Sequence, residues 1–487
     1  MYAPFDPAAA QAISDRITPD YLQDILDGYV NAGVIPSEEA RDIARQLEPL
    51  LGVIRGPLRD EPFWEAFQQQ FGFARATPKI VPMNAANLCP EPDALINASN
   101  RLRSWYNINV AQQVRTAGGA RVVQMEALRA RIARSLGLGA PHDLALIRNS
   151  SEGNNAISAG YRGWRQDDDT MPRDKVVVWR ENHPTNLESW RLRRDWHRGT
   201  RAPDDAPRKG DPFQLIVVDF PRRADPEDIA KAFTDYIDAD TRFVAYSDVS
   251  NDSGMRIPER TVALIWEKAR QFAECHVHID GTMSWGARRV DLGNAHCHSF
   301  VSSAHKWFLG PKETAIFHMR SDKAANFAPG IFAYDYRIRI DPWDQMPKNA
   351  LRFELLGQRD DVNLFTLDLT QAVWDAMAFR DPHGRVLQLA ERLLEALKPR
   401  WTPVTPDRPG YHLGVVRVEA PRKTTPGTPS LYEWMYADQR RHRFGGSGGS
   451  EAPDRQTFRL CPHVYNTMDD IGHAVASMNA WRNLHGA

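Results

Sequence analysis

The segment SFVSSAHKWFLGPKETAIF, residues 299–317, sets Lys306 between an apolar run and a Gly-Pro turn, with Ser303 and His305 beside it. A lysine alone says little, because most lysines are solvated. Its upstream company says more. Asp280 ends the run HVHID, Asn251 follows RFVAYSDV, and His183 follows VVVW. Ser150 and Ser151 open a helical stretch in RNSSEGNNAI, and Arg459 lies in TFRLCPHVYNT. An amine can act as nucleophile or base. A carboxylate can keep a ring nitrogen protonated, a flat imidazole can stack on a flat ring, and a helix N-terminus favours an anion.

These residues need elements to bring them together. VVVW (176–179), LIVVDF (215–220), RFVAYSDV (242–249), HVHID (276–280) and TAIFHM (314–319) read as strands, and 225–237 and 258–274 read as helices between them. Such alternation predicts an α/β fold with a mainly parallel sheet flanked by helices. Near-continuous apolar strands suit burial on both faces. In a parallel sheet the strand ends gather at one edge, where ligands bind. Residues 1–75 read as an added helical arm, with Ser37 as a helix cap before Glu38 and Glu39. Its expected role is dimer contact or domain cover. Residues 76–370 read as the large domain and 371–487 as a smaller α+β domain, with GGSGGS (445–450) as a flexible loop by composition.

The set suits pyridoxal 5'-phosphate. That cofactor needs a lysine for its Schiff base and a carboxylate at its pyridine nitrogen. Lys306 and Asp280 meet those needs. Ser150, Ser151, Ser303 and His305 can serve the phosphate, His183 can stack on the ring, and Asn251 can donate to the phenolic oxygen. In order along the chain, RNSSEGNN, NHPTN, SDVSND, DGTMSWG, SSAHKW, GQRD and FRLCPHVYNT resemble the fold type I enzymes of aminotransferase class V. Within that class the texture is similar to the isopenicillin N epimerase-like and cysteine desulfurase-like group, over about residues 76–487. The resemblance implies that Arg459 grips a substrate α-carboxylate. It also implies that Gly357 and Gln358 reach the phosphate of a neighbouring subunit, and so a homodimer. The group includes C–S lyases acting on cysteine S-conjugates and related enzymes of lincosamide antibiotic biosynthesis. The expected reaction is therefore β-elimination on an S-substituted cysteine, with Lys306, Asp280 and His183 as the catalytic set. The runner-up is decarboxylation-dependent oxidative deamination; epimerisation and transamination stay open.

Some positions depart from the pattern. Met283 stands where the group usually has His or Gln, and Gln358 where Thr is usual. The GGSGGS segment has no cysteine where desulfurases of the group carry the persulfide cysteine. A rival reading is a metal-dependent hydrolase built on His276 and His278, since His-x-His on a strand can begin a metal site. No carboxylate-rich or HExxH-type set completes it, so no metal is expected. A scaffold on a dead enzyme fold conflicts with the joint presence of Lys306, Asp280, His183 and Arg459. Cys89 and Cys461 are expected to pack, although residues 79–90 resemble the group's substrate-side entry loop.

Composition narrows the classes further. Hydrophobic residues make up 42 % and charged residues 25 % of the 487, which fits a globular chain rather than a disordered one. Sixty-one basic against 62 acidic residues leave a net charge of −1, without the basic excess of a nucleic-acid binder. No apolar run reaches the roughly 18 residues of a membrane span. Residues 1–20 lack the layout of a secretory signal. The four dispersed cysteines fit a reducing compartment, so a cytoplasmic location is expected.

Overall fold

The computed structural model describes residues 19–110, 120–165, 170–202, 204–333, 346–420, 429–437, 442–452 and 455–484. The expectation about a leader falls largely on residues 1–18, outside this set. The strands in chain order are β1 (Lys79–Pro82), β2 (Leu144–Ile147), β3 (Lys175–Trp179), β4 (Gln214–Val218), β5 (Thr241–Ser247) and β6 (His276–Asp280). They continue with β7 (Ser299–Ser303), β8 (Ala315–Met319), β9 (Val416–Ala420), β10 (His442–Gly445), β11 (Ser447–Ala452) and β12 (Arg455–Leu460).

Seven of them form one sheet in the order β2-β8-β7-β6-β5-β3-β4. Neighbours from β7 to β4 run parallel, and β8 is antiparallel to both β2 and β7. The helices Pro184–Arg198, Pro226–Thr234 and Glu259–Ala269 are the crossovers between β3, β4, β5 and β6. The mainly parallel sheet expected from the sequence is present; it holds the five segments read as strands, and β2 and β7 join them. Its strands read as continuous apolar runs because both faces are covered. Successive side chains alternate between two cores. Val177, Trp179, Val244 and Tyr246 enter one cluster, while Val176, Val178, Phe243 and Ala245 enter the other.

The helix Asp361–Met377 leads out of this unit, and the helices Pro382–Leu397 and Met468–Leu484 pack with the antiparallel sheet β11-β12-β9 around Trp401 and Trp481. We propose folding units divided near residues 75 and 370; the helix Asp361–Met377 carries across the second boundary. The Gly-Ser run, expected to be a flexible loop, forms a strand. It is not a free loop: β11 pairs with β12, with Ser447 opposite Arg459 and Gly448 opposite Phe458. Ladder bonds come from the backbone and need no side chain. Closeness favours glycine at the start of the run, because a Cβ on Gly446 would stand 2.5 Å from Cζ of Phe458.

Residues 19–75 contain the helices Pro19–Asn31, Ser37–Arg55 and Asp60–Gln68. Ser37 is the first helical residue rather than the cap, which is Pro36. Leu47, Leu50 and Leu51 are buried as their spacing predicts. Tyr29 donates to Asp368 Oδ2 at 2.8 Å, and Gln68 Nε2 donates to the Tyr465 carbonyl at 2.8 Å. An aromatic column then runs inward. Phe71 meets Tyr465 at 5.4 Å, Tyr465 stacks on His463 at 5.3 Å, and His463 stacks on Trp307 at 5.4 Å, next to Lys306.

A buried ion pair ties the segment before Gly357 to the sheet. Arg129 donates to the Leu144 carbonyl at 2.8 Å and to Glu354 Oε2 at 2.9 Å, and the Leu146 N–H also donates to Glu354. Removing one member of such a pair leaves a charge without its partner in the interior. Arg129→Met is therefore expected to lower unfolding free energy by about 3–5 kcal/mol in urea titration. A loss below about 1 kcal/mol would contradict this reading.

Candidate active site

The strand ends deliver the side chains. β7 ends at Ser303, and the following turn presents Lys306. That turn is held on both sides: Cys89 N–H donates to the His305 carbonyl at 2.9 Å, and Gly310 N–H donates to the Ala304 carbonyl at 2.8 Å. Burial pulls the Lys306 ammonium down to about 8, against the upward pull of Asp280, while Arg459 pushes it down further. Without a bound group, the unfolded chain holds the Lys306 proton up to about pH 10.5 and the folded chain releases it near 8, so stability rises with pH across that window. Below about 8 the buried ammonium is a full cost, on the order of 3 kcal/mol. Lys306→Met should thus be more stable than the parent at pH 7, and the gap should close between pH 8 and 10.5. Urea melts across pH test this; a variant less stable at pH 7 would refute it.

Asp280 ends β6 and is 3 % exposed. Its carboxylate accepts from Asn154 Nδ2 at 2.9 Å, from the Thr282 N–H at 3.1 Å and from Thr282 Oγ1 at 2.5 Å. The next residue must be glycine, because a Cβ on Gly281 would stand 1.9 Å from the Phe300 ring. His183 caps the helix Pro184–Arg198. Its Nδ1 faces Thr185 Oγ1 at 2.9 Å, and its backbone N–H donates to Ser247 Oγ at 3.2 Å. Burial holds the His183 imidazolium below its ordinary value, although Asp280 pulls the other way.

Ser150 and Ser151 open the helix Ser150–Gly160, which Asn149 caps by accepting from the Glu152 N–H. Ser150 N–H donates to Ser303 Oγ at 2.8 Å, so both serines share one helix start. His305 Nδ1 is buried with no hydrogen-bond partner, and burial next to Lys306 and Lys312 pulls the ring down to about 4. A neutral imidazole nitrogen and a helix N-terminus are suitable donors for an anion.

Arg459 lies on β12, 5 % exposed. It donates to the Asn251 carbonyl at 3.0 Å, to Asn251 Oδ1, and to Asn84 Oδ1 at 3.1 Å. These partners are neutral, and its buried Nε has none. Asn251 thus aims the guanidinium. Asn84 belongs to the 79–90 loop, which is stitched to the end of β12: Ala85 N–H donates to the Cys461 carbonyl at 3.2 Å, and Cys461 N–H to that of Met83 at 2.6 Å. Cys89 and Cys461 are buried, and burial pushes both thiols up, so they remain neutral. Met283 Sδ accepts from Trp307 Nε1 at 3.5 Å and so braces the neighbour of Lys306. Gln358 sits exposed after Gly357, whose φ is 75°.

Lys306, Asp280, His183 and Arg459 lie close enough to act on one another electrostatically. The residues not singled out from sequence are Asn154, Thr185, Thr282 and Asn84. Asn154 stands one helical turn after Ser150, a spacing that places both on one face. The metal alternative loses its ligands to hydrogen bonds. His276 Nε2 and His278 Nδ1 both meet Ser299 Oγ at 2.8 Å, and His278 Nε2 meets Asn154 Oδ1 at 2.9 Å. Among the described residues no cluster of three or more His, Cys, Asp or Glu suits a metal ion.

The chain is similar in fold and in part of its sequence to known proteins. The chain superposes on an apo cysteine desulfurase from Thermococcus onnurineus NA1 with a TM-score of 0.67, at 16 % identity, over 86 % of this chain and 97 % of that one. It superposes on the cystine C–S lyase C-DES, solved with its product cysteine persulfide, with a TM-score of 0.63, at 17 % identity, over 84 % and 98 %. The fold is that of the fold type I enzymes. Residues 214–346 match the family model for aminotransferase class-V, the class that the seven sequence segments resemble. A cysteine desulfurase from Klebsiella pneumoniae is 23 % identical over 250 residues, 51 % of this chain and 55 % of that protein. A probable cysteine desulfurase from Xylella fastidiosa is 24 % identical over 269 residues, 54 % and 57 %. The chain spans about half the length of the curated relatives it matches. Among the described residues no helix is long and apolar enough to cross a membrane.

Proposed function

We propose that the protein is a pyridoxal-phosphate enzyme of the class V kind that cleaves the Cβ–S bond of an S-substituted cysteine. The observation that carries the cofactor reading is the fit of the donor set. A buried lysine faces a strand-end aspartate, and the orphaned Nδ1 of His305 accompanies a serine-lined helix start. Lys306 would hold the cofactor through Nζ. Asp280 would hold the proton on its ring nitrogen, His183 would cover its face, and Ser150, Ser151, Ser303 and His305 would hold its phosphate. When bound, pyridoxal phosphate supplies a sink for the electrons left at the substrate α-carbon.

The chain's own residues do the rest. Arg459 grips the α-carboxylate with paired N–H groups and so orients the bond to be broken. Lys306 Nζ is the base that would remove the proton from Cα. The sulfur at Cβ leaves as a thiol, and water releases pyruvate and ammonia. All four cysteines are buried, which leaves no exposed thiol to carry sulfur as a persulfide. That supports release of the thiol product over desulfuration by cysteine transfer. Exposed Leu88, Ile96, Ile108 and Val110 support a homodimer, as does the exposure of Gln358.

A panel of S-substituted cysteines with the loaded protein tests the reaction. The expected products are thiol, pyruvate and ammonia in equal amounts, without oxygen uptake. Carbon dioxide release coupled to oxygen uptake would instead assign decarboxylation-dependent oxidative deamination. Turnover abolished by a chelator would restore the metal reading.

A further inference from the structure

Asn154 touches Asp280, Thr185 and His278, and its amide orientation is settled by these neighbours. A carboxylate only accepts, so the atom at 2.9 Å from Asp280 Oδ2 must be Nδ2. The second Nδ2 proton points to Thr185 Oγ1 at 3.1 Å. Oδ1 then accepts from His278 Nε2 at 2.9 Å. That fixes the proton of His278 on Nε2, so its Nδ1 accepts from Ser299 Oγ at 2.8 Å, and Ser299 in turn accepts from His276 Nε2 at 2.8 Å. In the other direction Thr185 Oγ1 accepts from Asn154 and meets His183 Nδ1 at 2.9 Å. A hydroxyl can accept twice, so the direction is settled by the Thr185 N–H, which donates to that nitrogen at 3.3 Å and makes it an acceptor of the hydroxyl proton as well. His183 Nδ1 therefore carries no proton, and the neutral ring holds it on Nε2. Asn154, His276, His278, Ser299 and Asp280 are all buried, so water does not compete for the bonds among them, whereas Thr185 and His183 are partly exposed.

We infer that Asn154 is a positioning residue whose two N–H bonds orient the Asp280 carboxylate and, through the Thr185 hydroxyl, favour the Nε2–H tautomer of His183. Its purpose rests on the functional reading above, since Asp280 and His183 are the groups meant for the cofactor ring's nitrogen and face. The proton network itself does not rest on it. The chain His276–Ser299–His278 is the rear anchor that keeps the amide from flipping.

The test is the tautomer of His183 in the full-length chain labelled with ¹⁵N-histidine, read by long-range ¹H–¹⁵N correlation without cofactor and assigned with His183→Gln. The parent is expected to show the Nε2–H pattern. Thr185→Val should lower the Nε2–H share, since only the 3.3 Å backbone donor remains, Thr185→Ser should restore it, and Asn154→Leu should lower it while weakening pyridoxal-phosphate retention by about 10- to 100-fold. An Nδ1–H pattern in the parent overturns the inference, as does an Nε2–H pattern unchanged in both Thr185→Val and Asn154→Leu. A parent chain that develops no visible band with pyridoxal phosphate overturns the functional reading instead, while the tautomer pattern still decides the network.

Discussion

Lys306→Ala is expected to lower turnover by about 10²–10⁴-fold, the span a positioned general base contributes. Two roles are lost together. Nζ is the atom that would hold the cofactor, and it is also the base at the substrate α-carbon. Its basicity is set for that work, because burial brings the ammonium down to about 8 and so makes the neutral amine accessible near neutrality. The surrounding donors stay in place, since the Lys306 turn is held through backbone bonds of Cys89 and Gly310 rather than through the side chain. The variant should thus fold, take up pyridoxal phosphate without a covalent link, and regain part of its activity with a small added amine. Steady-state kinetics with and without methylamine measures this. Turnover within about threefold of the parent would remove Lys306 from the chemistry.

Arg459→Leu is expected to cut kcat/KM by about 30- to 5000-fold, because truncating one partner of a buried, hydrogen-bonded charge pair costs about 2–5 kcal/mol. In the chain alone the guanidinium is held by amides and carbonyls of Asn251 and Asn84, not by an acid. A substrate carboxylate would supply the missing charge. The loss should therefore be larger for amino acids than for the corresponding amines, which have no carboxylate to be gripped. Equal losses for both would show that Arg459 serves the fold, not the substrate.

The site was legible in the sequence where a residue's chemistry coincides with a strand end. Lys306, Asp280, His183 and Asn251 each follow an apolar run, and parallel pairing brings the run ends to one edge. Ser150 was readable as a helix start, although the cap proved to be Asn149. Asn154 was less visible, because its role comes from contacts with β6 and with Thr185, over 100 and about 30 residues away in the chain. The Gly-Ser run misled for a related reason. Composition reports side chains, whereas β11 is held by backbone pairing with β12. His276 and His278 likewise suggested a metal by type and spacing, and only the position of Ser299 on the adjacent strand shows where their nitrogens are directed.

The central claim is that Lys306 carries the cofactor. Its most direct test is to incubate the full-length protein with pyridoxal phosphate, reduce with borohydride, and locate the modified residue by peptide mass spectrometry. The expected result is one phosphopyridoxyl group per chain, on the peptide containing Lys306. A label on another lysine, or none, would contradict the account.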